Sequence, residues 1–162
     1  MVVPRPLLAA LCRHLRADGK RIVFTNGCFD LLHLGHVRYL EQARCLGDVL
    51  IVGINTDASV RRLKGENRPL RSQEERAALV AALKPVDFVT LFEEDTPEAL
   101  IAELQPDVLV KGGDYAPEQI AGAPLVQSWG GTVIVLPYLS GYSTTGMIEE
   151  ILRRYSSGGV RR

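Results

Sequence analysis

The chain has 162 residues, 46% of them hydrophobic and 23% charged, which is an ordinary balance for one soluble globular domain. Its 19 basic and 19 acidic residues cancel, which argues against a nucleic-acid-binding protein with a large basic surface. The apolar runs are too short for a membrane span, the N-terminus lacks the pattern of a secretory signal, and the three cysteines form no zinc or disulfide motif. We therefore expect one cytoplasmic domain over residues 1–155, followed by a flexible tail over residues 156–162.

Five segments of mostly apolar residues predict β-strands that are covered on both faces. They are residues 21–25, 49–55, 87–91, 107–110 and 132–136. Helical segments are predicted around and between them, over residues 6–17, 37–46, 72–83, 117–129 and 145–155. Ser72 and Glu75 form a capping box, and Thr96 precedes a proline at the first position of a helix. Asp57 is predicted to be the N-cap of a helix after the second strand.

The alternation of strands and helices predicts the fold class. It favours an α/β, Rossmann-like, doubly wound parallel sheet of about five strands with helices on both faces. In such sheets ligands bind at the carboxyl ends of the strands. That rule brings together residues 26–36, 55–68, 111–115 and 141–145. No Gly-x-Gly-x-x-Gly or Walker A loop is present, so dinucleotide redox chemistry and P-loop hydrolysis are disfavoured.

The strongest local motif is His33-Leu34-Gly35-His36, at a predicted turn from strand to helix. A helix N-terminus presents free N–H groups and partial positive charge, and two histidines there can add donors toward a phosphate. Gly27 and Gly35 lack a Cβ, so a ligand can approach the backbone closely. The alternative is that the two histidines only cap the helix. Phosphate chemistry is the first hypothesis.

Four other segments bear polar groups at the same predicted edge. Lys64 lies in a glycine-containing loop that is either a mobile clamp for a polyphosphate or a solvated turn, and Arg76 is either a phosphate ligand or an ion-pair partner. Residues 141–145 cap the last helix or hold a phosphate. Asp114, after two glycines, can accept hydrogen bonds from sugar hydroxyls, and Asp30 is expected to brace the histidine turn.

Together these motifs resemble the nucleotidyltransferase superfamily that carries His-x-Gly-His and a C-terminal Ser-Thr-Thr segment, here Ser143 to Thr145. The strings Glu-Glu-Asp-Thr-Pro at 93–97 and Val-Lys-Gly-Gly-Asp-Tyr at 110–115 resemble a narrower branch. Its members adenylate D-glycero-β-D-manno-heptose 1-phosphate. The resemblance covers roughly residues 22–151, and the chain resembles the stand-alone form, without the sugar kinase domain that often precedes this one.

The resemblance implies transfer of AMP from ATP to the sugar 1-phosphate, with Mg²⁺ bound mainly through the ATP phosphates and no dedicated protein metal site. It also implies a homo-oligomer and no membrane or nucleic-acid partner. The implied catalytic residues are His33, His36 and Lys64; the nucleotide-binding residues are Asn26, Gly27, Cys28, Phe29, Gly35, Arg76, Ser143, Thr144 and Thr145; the substrate-binding residues are Lys111, Gly112, Gly113 and Asp114.

Three rival functions remain open from the sequence. One is a CTP-dependent cytidylyltransferase that acts on an alcohol phosphate such as glycerol 3-phosphate. Another is a nucleotide-binding regulatory module without catalysis. The third, a flavin-forming adenylyltransferase, shares the chemistry but has no specific signal here.

Overall fold

A computed structural model of the chain describes residues 1–113, 116–137 and 139–156. Its centre is one sheet of five parallel strands in the order β3-β2-β1-β4-β5. The strands are β1 (Ile22–Gly27), β2 (Val49–Asn55), β3 (Phe88–Phe92), β4 (Val108–Gly112) and β5 (Thr132–Leu136). The predicted fold class is confirmed.

Seven α-helices lie in the described residues. They are α1 (Arg5–Ala17), α2 (Leu34–Arg44), α3 (Asp57–Lys64), α4 (Gln73–Ala81), α5 (Glu98–Leu104), α6 (Ala123–Ser128) and α7 (Thr144–Tyr155). A short 3₁₀ helix, Pro117–Gln119, precedes α6. No helix in this part of the chain is both long and apolar enough to cross a bilayer.

Two apolar cores cover the two faces of the sheet. All seven residues of β2 are buried, and successive side chains point to opposite faces. Ile51 packs with α1, α5 and α6 on one face, whereas Leu50 and Val52 pack with α2 and α4 on the other. This double coverage is the physical reason that the strands read as continuous apolar runs.

Several predicted helix ends are wrong by a few residues, and each has a local cause. Thr56, rather than Asp57, is the N-cap of α3, because its hydroxyl accepts the backbone N–H of Ser59. Pro97 is the N-cap of α5, one position later than predicted from Thr96. The helix predicted over residues 117–129 is divided, because Gly122 has a left-handed φ of 88° immediately before α6.

The strand order places the carboxyl ends of β1 and β4 side by side at the centre of the sheet. The chain adds β2 and β3 on one side of β1 and then β4 and β5 on the other, and open parallel sheets bind ligands where the strand order reverses in this way. The histidine turn follows β1 and the turn at 113 follows β4. The candidate site lies at this edge. The tail was predicted over residues 156–162. Ser156 is the C-cap of α7, and residues 157–162 lie outside the described residues.

Candidate active site

The turn between β1 and α2 places both histidines at the start of a helix. His33 is the N-cap of α2, and its Nδ1 accepts the backbone N–H of His36 at 3.3 Å. The reverse bond is also present, since Nδ1 of His36 accepts the backbone N–H of His33 at 3.4 Å. The two rings stack with their centroids 3.8 Å apart and their planes 16° apart. The histidines therefore do cap the helix, and α2 begins three residues earlier than predicted.

The cap decides which ring nitrogen carries the proton. In a neutral imidazole one nitrogen is a donor and the other is an acceptor. Because Nδ1 accepts in both His33 and His36, the proton lies on Nε2 in both. Each ring can then donate one Nε2–H to a ligand without giving up its bond to the backbone. Capping and phosphate binding are compatible, since they use different atoms.

Burial keeps both rings neutral. It lowers the pKa of His33, and it lowers the pKa of His36 to about 4, with a smaller contribution from the neighbouring His33 charge. At pH 7 the pair therefore supplies hydrogen-bond donors and not cations. A bound anion would raise both pKa values, because an adjacent negative charge favours the protonated ring.

Aromatic side chains occupy the space beside the two glycines of the turn. A Cβ at Gly27 would lie 3.1 Å from Cε2 of Phe29, and one at Gly35 would lie 3.0 Å from Nδ1 of His33 and 3.2 Å from Cβ of Tyr142. Phe29 has a left-handed φ of 48°, and its ring centroid is 5.1 Å from that of His36. Protein side chains thus occupy part of the space beside both glycines, and the close approach of a ligand to their backbone stays a prediction.

Asp30 ties the loop after α3 to the histidine turn. Its buried carboxylate accepts backbone N–H groups from Leu70 at 2.8 Å and Arg71 at 3.0 Å, and it pairs with the guanidinium of Arg68. Burial alone would raise the pKa of this carboxyl, but the two backbone bonds and Arg68 outweigh burial and hold the pKa below its usual range. Asp30 therefore braces the turn, as the sequence predicts.

Arg76 is fully buried, and its guanidinium bonds groups of the protein. Its Nη2 donates to the Asn55 carbonyl and to the Asp57 carboxylate, each at 2.8 Å, and its Nη1 donates to the Cys28 carbonyl. Its Nε donates to the Arg71 carbonyl at 3.1 Å. The expectation that Arg76 is a phosphate ligand is therefore corrected. The ion-pair alternative is the observed one, because the guanidinium pairs with the Asp57 carboxylate and donates to carbonyls at the ends of β1 and β2.

Lys111 in β4 contacts the end of β1, and Lys64 at the end of α3 acts on it electrostatically. Nζ of Lys111 donates to Oδ1 of Asn26 at 3.2 Å. Burial lowers the pKa of Lys111; the nearby Cys28 thiol opposes this change and Lys64 adds to it. Burial raises the pKa of Cys28, and Lys64 partly opposes that rise. Lys64 thus influences the charge of both side chains, and we call Asn26, Cys28, Lys64 and Lys111 the lysine cluster.

The last helix begins at the same edge. Ser143 is the N-cap of α7, and its Oγ accepts the backbone N–H of Gly146 at 3.0 Å. Thr144 and Thr145 form the first turn, where backbone N–H groups lack partners within the helix. The Tyr142 ring, just before this cap, is 6.3 Å from the His33 ring between centroids. The two signature segments of the sequence therefore meet in the fold.

The turn after β4 holds the residues predicted to bind the acceptor. Gly112 ends β4, and Gly113 has a left-handed φ of 133°. Asp114 lies outside the described residues. A small recess of about 100 Å³ adjoins Lys111 and residues 119–121. A larger open cavity, of about 580 Å³, lies along the ends of β2 and β3 and contains none of the predicted site residues.

Sequence reasoning missed Tyr39 as a residue that positions the site. Its hydroxyl lies 2.6 Å from Oγ1 of Thr25 and donates to the Val110 carbonyl at 3.1 Å. These bonds fasten α2, which carries the histidines, to β1 and to the residue before Lys111. In the sequence, Tyr39 is marked only by its position one helical turn after His36. That spacing does not predict that its hydroxyl bonds residues of β1 and β4.

Comparison with known proteins gives three findings. A family model described as cytidylyltransferase-like matches residues 24–150. Bifunctional proteins HldE are similar: the one from Pelobacter propionicus is 59% identical over 152 residues, and the one from Pseudomonas aeruginosa is 58% identical over 139. These alignments cover 94% and 86% of this chain but only 31% and 29% of those proteins. A lipopolysaccharide core biosynthesis protein from Thermoplasma volcanium is structurally similar, with a TM-score of 0.60 and 34% identity, over 77% of this chain and 100% of that one.

Proposed function

This chain belongs to the cytidylyltransferase-like family, and we propose that it transfers AMP from ATP to D-glycero-β-D-manno-heptose 1-phosphate. The products are ADP-heptose and pyrophosphate. The observation that carries the proposal is the pair of imidazoles at the start of α2. Their Nδ1 atoms accept backbone N–H groups, so two Nε2–H donors remain for a ligand. The same turn contains Cys28, which belongs to the lysine cluster.

The reaction is an in-line displacement at the α-phosphorus of ATP. A phosphate oxygen of the sugar 1-phosphate forms the new P–O bond, and the bond from the α-phosphorus to the α,β-bridging oxygen breaks as pyrophosphate leaves. The attacking phosphate is already ionised near neutral pH, so no general base is needed. Catalysis then consists of positioning the two phosphates and stabilising the negative charge of the transition state.

The two histidines would act as neutral donors to the reacting phosphate. Their Nε2–H groups would bond the α-phosphate oxygens and the bridging oxygen as charge develops there. A fixed donor on a half-buried turn stabilises such charge with little reorganisation of solvent. The backbone of Asn26, Gly27, Cys28, Phe29 and Gly35 would line the same side of the nucleotide.

The lysines and the last helix would neutralise the remaining charge. Lys64, which ends α3 and is exposed, would reach the β- and γ-phosphates as a point charge. Ser143, Thr144 and Thr145 would offer the N–H groups and hydroxyls of the α7 N-terminus to the same phosphates. Lys111 would contact the sugar phosphate, with Gly112, Gly113 and Asp114 beside the sugar.

Mg²⁺ would enter the site as part of the substrate, the magnesium complex of ATP. Across the described ranges no three His, Cys, Asp or Glu side chains group into a metal site. Asp30 and Asp57 are already paired with arginines, so the triphosphate and water would supply the ligands. When bound, the ion supplies charge neutralisation on the triphosphate. We place the reaction in the cytoplasm, where ATP is available.

The choice of acceptor rests on the relatives and on the sequence strings at 93–97 and 110–115. The similar proteins are named HldE, and the similar structure is a lipopolysaccharide core biosynthesis protein. Both support the heptose branch over other members of the family. The description of the family model as cytidylyltransferase-like is the reason to test CTP with an alcohol phosphate as the second candidate.

The deciding experiment measures pyrophosphate release by the full chain with Mg²⁺. ATP and CTP are each offered with the β-heptose 1-phosphate and with glycerol 3-phosphate. Release with ATP and the heptose phosphate alone supports the proposal. Release with CTP and glycerol 3-phosphate would assign the chain to the second candidate, and nucleotide binding without release from any pair would favour the regulatory module.

A further inference from the structure

The acidic segment Glu93 to Asp95 follows β3 and bonds two neighbouring helices. Arg5 of α1 donates to a carboxylate oxygen of Glu94 at 2.6 Å, and Arg62 of α3 donates to Oδ1 of Asp95 at 2.8 Å. Arg62 also donates to the carbonyl of Glu93. The bonds of this segment thus run to α1 and α3, although it belongs to one of the strings by which the sequence resembles the heptose branch.

The helix α3 is short and buries few apolar groups. Of its eight residues, Ser59 and Val60 are buried, whereas Leu63 is 45% exposed. A helix of this length has little stability of its own and depends on tertiary contacts. Oγ of Ser59 accepts from Nδ2 of Asn55 at 3.0 Å and donates to the Glu94 carbonyl at 3.2 Å. Polar bonds to the acidic segment therefore supply much of what fixes α3 in place.

The bond from Arg62 to Asp95 acts on the last turn of α3, which carries Lys64. Arg62 lies two residues before Lys64, and the chain leaves the helix at Gly65, which has a left-handed φ of 94°. The side chains of Arg62 and Asp95 are 46% and 60% exposed, and an exposed pair contributes little to stability. The effect of this pair is therefore to place the last turn, and with it Lys64, rather than to hold the fold together.

We propose that Asp95 is a positioning residue for nucleotide binding, which acts through Arg62 to aim Lys64 at the triphosphate. This inference rests on the proposed function in one respect, that Lys64 binds the β- and γ-phosphates of ATP. The sign of the effect is diagnostic. Asp95 is an anion, so by direct electrostatics its removal favours the binding of a triphosphate. Positioning predicts the opposite, because the loss of Asp95 frees the turn that carries Lys64.

The first test compares the wild type with two Asp95 variants by calorimetric titration with MgATP and by pyrophosphate release. In Asp95→Ala the Kd and the KM for ATP should rise about fivefold, while the KM for the sugar phosphate stays unchanged. Asp95→Asn removes the same charge but keeps an acceptor for Arg62, so it should recover most of the affinity. The matched control is Glu103→Ala, which removes a carboxylate bonded to Arg5 and should bind ATP as the wild type does.

A double-mutant cycle tests whether Asp95 acts through Lys64. If it does, Asp95→Ala should not weaken ATP binding further in a Lys64→Met background. Amide hydrogen exchange in the last turn of α3 should also become faster in Asp95→Ala, which is a readout that needs no substrate.

The outcomes separate this inference from the proposed function. Unchanged or tighter ATP binding in Asp95→Ala, with or without faster exchange, would overturn the positioning role, as would an equal loss of affinity in the Lys64→Met background. A wild type that binds ATP but releases no pyrophosphate would contradict the proposed function, and a fivefold loss of affinity in Asp95→Ala would still support the positioning role. A wild type that binds no ATP would overturn both.

Discussion

At the scale of the residue, His33 and His36 each use one ring nitrogen in the helix cap and leave the other available for a ligand. Nδ1 of each accepts a backbone N–H at the start of α2, and Nε2 of each is left as a donor. The two interpretations that the sequence left open are therefore both compatible with one geometry. Substitutions that replace one of the two ring nitrogens at a time can separate the capping role from the ligand-binding role.

Replacement of His36 by asparagine or glutamine should separate capping from catalysis. The asparagine amide lies near the position of Nδ1 and can keep the cap, but it leaves nothing at Nε2. We expect His36→Asn to lower kcat about 10²–10³-fold, the usual cost of one transition-state donor. Glutamine reaches the position of Nε2 but loses the cap, so His36→Gln should lose about 1 kcal/mol of stability and retain more activity.

Pyrophosphate release and urea unfolding of both His36 variants provide the measurement. The expected result is a crossed pattern, in which the less active variant is the more stable one. If activity and stability fell together in both variants, Nε2 would have no separate role and the histidines would be caps alone.

The lowered pKa of His36 predicts a pH dependence of stability. The ring has a pKa of about 4 in the folded protein and about 6.5 in the unfolded chain. Between these values the unfolded state binds more protons, so the free energy of unfolding rises with pH. We expect it to be roughly 1–2 kcal/mol lower at pH 5 than at pH 7.

Urea unfolding at the two pH values checks this difference. His36→Asn should reduce it, while His14→Asn, which changes an exposed histidine on α1, should leave it in place. The lowered pKa of Asp30 acts at more acidic pH, because its contribution is lost only as the carboxyl is protonated. A pH dependence that survives in His36→Asn unchanged would contradict the assignment.

At the scale of the element, Arg76 on α4 joins the ends of two strands and the start of α3. Removing its side chain would leave the Asp57 carboxylate unpaired, along with the carbonyls of Cys28 and Asn55. We expect Arg76→Met to lower the free energy of unfolding by about 3–5 kcal/mol, as for other buried pairs that lose one partner. Arg76→Lys should lose less, since the charge is retained.

Denaturant unfolding of Arg76→Met against Arg71→Ala provides the comparison. Arg71 forms an exposed ion pair with Glu75 at 3.5 Å, so its loss should change stability by less than about 1 kcal/mol. The phosphate-ligand role would return if Arg76→Met were as stable as the wild type while its KM for ATP rose more than tenfold.

At the scale of the whole molecule, the strand order brings Asn26 and Lys111 together across the junction of β1 and β4. Lys111 is a half-buried cation whose lowered pKa reflects the cost of removing its charge from water. Such a residue is expected where function requires charge and stability does not. Lys111→Met should therefore keep stability within about 1 kcal/mol of the wild type and lower kcat/KM for the sugar phosphate at least about 10²-fold.

Steady-state kinetics with the sugar phosphate varied, together with thermal unfolding, test this expectation. Lys84→Met removes an exposed lysine before β3 and should change neither quantity. Full activity in Lys111→Met would remove the residue from the proposed substrate site, and a large loss of stability would assign it a structural role.

Local patterns predicted some elements closely and others only in part. The bounds of β2 and β5 match the prediction, because buried parallel strands are uninterrupted apolar runs. The start of α2 was placed three residues late, because histidine is an unusual cap and the two rings stabilise each other only once the turn has formed. The helix predicted over residues 117–129 is interrupted at Gly122, which has a left-handed φ and is the N-cap of α6.

The sequence by itself determined the fold class, the family and the two signature segments, because apolar periodicity and short motifs are local properties of the chain. Only the tertiary structure decided which nitrogens of the histidines remain available, that Arg76 is buried and paired with Asp57, and that Lys111 bonds Asn26. These facts depend on burial and on contacts between residues up to 85 positions apart, as for Asn26 and Lys111. The charge state and the hydrogen-bond partners of a side chain depend on its burial and its neighbours in space, and the spacing of residues along the chain does not reveal these.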